Sequence, residues 1–363
     1  MREVLAELER WKAAGEPIAL ATVVETWGSA PRQVGAKMAM TPGGGIAGSV
    51  SGGCVESAVF EAAAEVLKSN VPRLLHFGVA NEKAWEVGLA CGGEISIFVE
   101  PLDLELYDAI RRAAASRDRS ALSTVVRGPG ELLGHKLLIR HDGASQSTLP
   151  EPLAEKAGAA ARSALAEGAS RLVALEFPGA ASGEVFIEIV GPSPTLAIVG
   201  GVHIAITLTS LARTLAYRTI IIDPRQAFAN PARFPHADML ISVWPDAGLR
   251  QIGLDSDTAV AVLTHDPKLD DPALLEALTS EAFYVGALGS RATQEKRNQR
   301  LLKAGLSPEH LTRLHGPIGL DLRGRSPEEI ALAVMAEIVA VRNRAVSRAK
   351  DPLASLARSE PAS

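Results

Sequence analysis

The 363-residue chain is 47% hydrophobic and only 4% aromatic, with a formal net charge of −5. Single cores usually stop growing near about 250 residues, so this length predicts two packed domains. Mixed charge without a basic field argues against nucleic acid or an anionic membrane as partner, and scarce aromatics argue against a base-stacking surface. The predicted fold class is α/β: a first α/β domain over 1–193, a doubly wound parallel sheet over 194–347, and a disordered tail over 348–363.

The opening MREVLAELERWKAAGE predicts an amphipathic helix over 2–14 with Leu5, Leu8 and Trp11 on one stripe. It lacks the apolar run of a signal peptide, and no later segment has the roughly 20 apolar residues of a membrane span, so a cytoplasmic protein is expected. The strand IALATVVET follows. AKMAMT, PGGG and GIAGSV then read as a hairpin, because glycines between short apolar runs supply the positive φ of a tight turn. A helix over 55–67 comes next, and EISIFVE places Ile95, Ile97 and Val99 on one face of a half-buried strand. Residues 102–190 are poorly defined, with helices over 104–116 and 150–167 and strands in LSTVV, KLLIR and VFIEIV, and are assigned to the first domain. No internal repeat is apparent. GPSP at 191–194 is the expected joint.

From Thr195 onward strands alternate with helices. TLAIVGG ends in glycines, and Ile204, Leu208, Leu211 and Leu215 follow at helical spacing. TIIID, DMLISV, AVAVLTH and FYVGALG supply further strands, and Ser326 and Pro327 open a helix with two glutamates facing its dipole. This is the βαβ rhythm of a doubly wound sheet.

Only two cysteines occur, Cys54 and Cys91, too few for a disulfide framework and wrongly spaced for zinc. Cys54 lies in SGGCVE, between a strand and a helix. Amides at a helix start favour thiolate over thiol and attract anions, and Ser51, Gly52 and Gly53 would let a ligand approach the backbone. That pattern fits sulfur handling or thiolate ligation of a soft metal; the ordinary alternative is a buried cysteine packed as a small hydrophobe. Cys91 in LACGGE is flanked by Gly92 and Gly93 before a strand and is read either as a partner to Cys54 or as turn material. Glu56 and Glu94 read as surface or capping carboxylates. IVGGVHIA resembles a dinucleotide-binding turn, with Gly200, Gly201 and His203 at the strand–helix junction and Asp223 at the spacing of a ribose-binding carboxylate. Val202, however, stands where a second glycine would admit a pyrophosphate. His265 and Arg291 sit at the carboxyl ends of later strands, where open α/β sheets bind ligands.

Taken together, GSAPRQVGAKM, GSVSGGCVE, FGVANEKAWEVGLACGGEISIFVEPL, THDPKLDDPAL, FYVGALGSR and HGPIGLD followed by SPEEIA resemble the xanthine dehydrogenase accessory-factor (XdhC/CoxI) family, over about 18–101 and 195–342. The resemblance implies an N-terminal cysteine domain and a Rossmann-like domain. It further implies binding of molybdenum cofactor (molybdopterin), support of its sulfuration with a cysteine desulfurase, and delivery to an apo-molybdenum hydroxylase, by a homodimer that is a maturation chaperone more than a stand-alone enzyme. Cys54 and Cys91 are the positions it marks, as sulfur-handling residues in contact with molybdenum. Two rival readings are an NAD(P)-dependent oxidoreductase using the second domain for its cofactor, and a non-catalytic docking protein with structural cysteines.

Overall fold

The first half of the chain builds one arrangement twice. The computed structural model describes residues 2–30, 32–78, 93–115, 119–177 and 182–350, and the chain divides into two compact units, Met1–Pro192 and Ser193–Ser363. In the first unit, helix α1 (Leu5–Ala13) precedes β1 (Ala19–Trp27), β2 (Lys37–Met40), β3 (Ile46–Gly48), helix α2 (Glu56–Ser69), β4 (Arg73–Phe77) and β5 (Glu94–Pro101). Helix α3 (Leu104–Ala115) then precedes β6 (Ser120–Arg127), β7 (Lys136–Arg140), β8 (Ser145–Ser147), helix α4 (Glu151–Glu167), β9 (Arg171–Leu175) and β10 (Gly183–Val190). The two sheets have the same topology, β3-β2-β1-β5-β4 and β8-β7-β6-β10-β9. The poorly defined segment is therefore a second copy of the first, correcting the expectation of no repeat. The copies share few residues outside the central strands, which is why the repeat is easily missed; its trace is Ala19–Val24 (ALATVV) against Ala121–Val126 (ALSTVV).

Even an irregularity recurs. Pairing of β1 with β5 shifts register between Val23 and Glu25, and pairing of β6 with β10 shifts between Val125 and Arg127. Each is a β-bulge that skips one valine, and those valines, Val24 and Val126, pack with Phe98 and Phe186 in one buried cluster. On the other side of the first sheet, α2 covers Ala21, Val23, Met38, Ile95 and Ile97. Helix α4 covers Ala121, Val125, Ile139 and Ile187 of the second sheet in the same way. Both faces of the central strands are thus buried, so only part of their sequence alternates between apolar and polar.

Between the copies lie two crossed ion pairs. Lys37 opens β2 opposite Thr22 and donates to Glu188 Oε2 at 2.9 Å and Thr22 Oγ1 at 3.0 Å. Lys136 opens β7 opposite Thr124 and donates to both Glu100 oxygens at 2.7 Å and to Thr124 Oγ1 at 3.1 Å. A charge taken out of water this far is tolerated only with its partner and hydrogen bonds in place.

The second unit comprises β11 (Thr195–Val199), α5 (His203–Thr214), β12 (Arg218–Ile222), β13 (Met239–Ile241), α6 (Pro245–Ile252), β14 (Thr258–Val262), α7 (Pro267–Leu278), β15 (Tyr284–Ala287), α8 (Arg291–Lys303), α9 (Pro308–Leu311), β16 (Leu314–His315) and α10 (Pro327–Lys350). Its order, β13-β12-β11-β14-β15-β16, is all parallel and matches the doubly wound dinucleotide-binding arrangement. Runs such as Ala259–Leu263 are continuously buried because helices cover both faces. Helix α10 starts with a reciprocal cap: the Glu329 amide donates to Ser326 Oγ at 3.2 Å and the Ser326 amide to Glu329 Oε2 at 3.1 Å, satisfying otherwise unpaired donors. The helix continues through Lys350, so 348–350 extend it instead of opening a tail; 351–363 lie outside the described residues. No helix among the described residues is long and apolar enough to cross a membrane.

Candidate functional site

Cys54 is exposed, which removes the reading of a buried small hydrophobe. Its loop, residues 49–55, is organised by one carboxylate. Glu56, the first residue of α2, accepts from the Ser49 hydroxyl at 2.7 Å, the Ser51 and Gly52 amides at 3.0 Å each, the Gly53 amide at 2.8 Å, and the Ser51 hydroxyl. The Val55 amide donates to Ser51 Oγ at 3.0 Å. Burial pushes the Glu56 carboxyl up, but the Ser51 and Ser49 hydroxyls and the Ser51 amide more than reverse this, lowering its pKa to about 2. The amides expected to cradle a ligand anion at Ser51, Gly52 and Gly53 are therefore engaged by the chain's own carboxylate. The physical reason is local: a glutamate opening the helix reaches back over the loop that precedes it and neutralises the dipole first. What remains free is space. Gly52 and Gly53 have φ of +83° and +120°, with nothing within 4 Å of where a Cβ would stand, so a ligand can reach their backbone from outside.

Strand directions bring several termini to the same sheet end. β1 ends there at Trp27, β4 ends there at Phe77, and β5 begins there at Glu94, while β3 runs the same way into the Cys54 loop but stops at Gly48, level with Ala21. Gly93 packs against the turn after β1, since a Cβ on it would lie 2.7 Å from the Ser29 carbonyl. Cys91 and Gly92 lie outside the described residues. At this end a cavity of about 340 Å3 is lined by Glu25, Thr26, Trp27, His76, Glu94, Ile95 and Ser96; Cys54 is not among its walls. His76 Nδ1 stands 3.2 Å from Ser96 Oγ, Ser96 Oγ donates to Glu25 Oε2 at 3.4 Å, and His76 Nε2 lies 3.9 Å from Glu94 Oε2. Sequence reasoning missed this group. The available trace was a histidine within an otherwise apolar strand, LLHF, and the charged ETW end of β1.

In the second unit the candidates divide. Gly200 (φ +103°) follows β11 beside Thr264, whose methyl would sit 2.5 Å from an added Cβ, so the glycine turn and the residues after β14 meet at the point where strand order reverses. His265 follows, exposed and left-handed at φ +64°, an uncommon conformation for histidine. Arg291 is exposed at the start of α8, and His203 is exposed at the start of α5 with Nε2 4.0 Å from Glu328. Asp223 behaves otherwise: its side chain has no exposure. Its oxygens accept from the Gly201 amide at 2.9 Å, the Arg225 amide at 2.9 Å and the Arg225 guanidinium at 2.8 and 2.7 Å. Burial pushes this carboxyl up, and Arg225 with the Arg225 and Gly201 amides outweighs it, holding the group below the usual range. Arg225 in turn lies 4.0 Å over the Phe228 ring, and the Phe228 carbonyl would be 2.4 Å from a Cβ on Gly201. Arg233 donates to the Gly201 and Phe228 carbonyls at 2.6 and 3.1 Å. The expected ribose carboxylate is thus consumed internally. Gly201 is small to admit the chain's own 225–233 segment.

Comparison with known proteins agrees with this architecture. A profile described as "XdhC and CoxI family" matches residues 11–78, and one described as "XdhC Rossmann domain" matches 196–338. The chain is 28% identical to a Bacillus subtilis protein named as a probable subunit of xanthine dehydrogenase, covering 91% of this chain and 94% of that one. It is 29% identical to the Escherichia coli molybdenum cofactor insertion chaperone PaoD, covering 91% of this chain and 85% of that one. A crystal structure described as a xanthine dehydrogenase from Bacillus halodurans superposes with a TM-score of 0.75 at 25% identity, over 94% of this chain and 96% of that one. With both profiles matched in order and the Rossmann topology in place, the chain belongs to the xanthine dehydrogenase accessory-factor (XdhC/CoxI) family.

Proposed function

We propose that this protein binds molybdenum cofactor, supports its sulfuration, and delivers it to an apo-molybdenum hydroxylase of the xanthine dehydrogenase type, with the cofactor as cargo. The observation that carries the reading is the contrast between the two copies of the first unit. The second copy joins β8 to α4 through residues 148–150 and β9 to β10 through 176–182; the first joins β3 to α2 through 49–55 and β4 to β5 through 78–93. The fold closes without the longer connections, and those connections carry the chain's two cysteines.

Chemically the Cys54 loop suits a sulfur-rich, metal-bearing cargo. An exposed thiol on a loop held by Glu56 is a soft ligand that need not be ordered on binding, and open glycines beside it leave room for a bulky group. As thiolate, Cys54 can attack the outer sulfur of a cysteine desulfurase's persulfide, forming a persulfide on Cys54 as the donor S–S bond breaks and the desulfurase cysteine leaves as thiolate. PaoD, named as a molybdenum cofactor insertion chaperone, supports the cargo assignment. Cys91 is proposed as the second thiol, and a homodimer in the cytoplasm as the working form.

Protein purified from cells making the cofactor is expected to carry molybdenum and to release a fluorescent pterin on denaturation, and Cys54→Ser is expected to lose most of both. Equal loading of wild type and Cys54→Ser would end the assigned role.

A further inference from the structure

We infer that the cavity lined by Trp27, Glu25, Glu94 and His76 is a recognition subsite for a pterin ring, separate from the thiol loop; the inference rests on the cargo being molybdopterin. The internal duplication supplies a control. His76 pairs across with Ser96, and Glu25 pairs across with the same Ser96. The second copy has Ala174, Glu184 and Arg127 in those register positions, and there Arg127 makes an ordinary 2.7 Å ion pair with Glu184. The same bulged strand geometry therefore stands without a histidine or a hydroxyl bridge, so the first copy's set is not something the fold demands.

The remaining walls say what fits. Trp27 is 76% exposed although it lies opposite Glu94 in a paired strand, leaving an indole on which a flat heterocycle can stack. Glu25 and Trp27 are two apart in β1, with cross-strand partners Ser96 and Glu94, so the carboxylates flank the indole. A pterin offers adjacent N–H donors, the 2-amino group and N3–H, a fork that one carboxylate can accept from two sites at once. His76 and Ser96 can serve its oxygen and ring nitrogens. The cofactor's phosphate and dithiolene are anionic and are repelled by the same carboxylates, so the subsite also sets direction: ring inward, sulfurs away. The volume of about 340 Å3 is in the range of small-molecule sites. Among the described residues, no group of three or more His, Cys, Asp or Glu could hold a metal ion, so the cluster does not read as a metal centre.

The test uses 6-hydroxymethylpterin, which has the ring and neither phosphate nor dithiolene, titrated against the full-length protein by equilibrium dialysis. Saturable binding is expected, weakened about ten-fold or more in Trp27→Ala, less in Trp27→Phe, and about ten-fold in the Glu25→Gln/Glu94→Gln double variant. Cys54→Ser is expected to bind the probe as wild type does. No binding to wild type, or equal binding by Trp27→Ala and the glutamine variant, overturns the subsite. Cofactor content of the protein purified from cofactor-making cells is read separately: probe binding without cofactor leaves the subsite standing and removes the cargo reading, and cofactor retained without probe binding does the reverse.

Discussion

Glu56 shows how one residue decides the chemistry open to its neighbours. By receiving the amides of 51–53 it denies that cradle to an external anion and fixes the loop that presents Cys54. Its folded pKa is depressed to about 2 from an ordinary 4.5, so its contribution to stability is complete above about pH 4.5 and is lost as pH falls toward 2. Discounted for partial exposure, that contribution is on the order of 1–2 kcal/mol. Glu56→Gln is therefore expected to flatten the acid limb of the stability curve between pH 4.5 and 2, measured by urea unfolding at each pH. An unchanged acid limb would show that the hydrogen bonds do not discriminate between charged and neutral forms. The motif SGGCVE was legible as a loop with a reactive thiol, but the recipient of its amides was not, because a carboxylate opening a helix can equally point to solvent.

At the scale of elements, the duplicated sheets are joined by ion pairs that reach across from one copy to the other. Burial pushes the Glu188 carboxyl up, yet the Lys37 ammonium 2.9 Å away holds it below the usual range. Removing one partner strands a buried charge, while removing both leaves an apolar contact. Lys37→Met is accordingly expected to cost about 3–5 kcal/mol and Lys37→Met/Glu188→Leu considerably less, with the same pattern for Lys136 and Glu100. Denaturant unfolding of the four variants of each cycle measures this, and additive costs would mean that the pairs do not couple. These lysines sit at strand starts in KMAM and KLLI, where a lysine ordinarily points to water, so nothing local announces their burial.

For the whole molecule, the second unit has the topology of a nucleotide-binding domain, but its glycine turn packs against its own chain. The Phe228 carbonyl lies against Gly201, and the would-be ribose carboxylate is bound to Arg225. Titration with NADH and NADPH is expected to give no saturable fluorescence change, and a micromolar dissociation constant would reverse this reading. The oxidoreductase alternative loses its main support here, since it needed the turn and Asp223 to be available.

The amino-acid sequence by itself determined the α/β class, the βαβ half from Thr195 onward and the glycine-flanked setting of the two cysteines, because periodicity, caps and glycine turns are local and are written within a few residues. The duplication left only a short trace, ALATVV against ALSTVV, and tertiary structure alone decided the destination of Asp223, Glu56, Lys37 and Lys136 and the meeting of Glu25, Trp27, His76 and Ser96 at one sheet end. Those outcomes depend on which strands pair and in what register, and strand pairing joins residues far apart in the chain with no short-range mark of the partner.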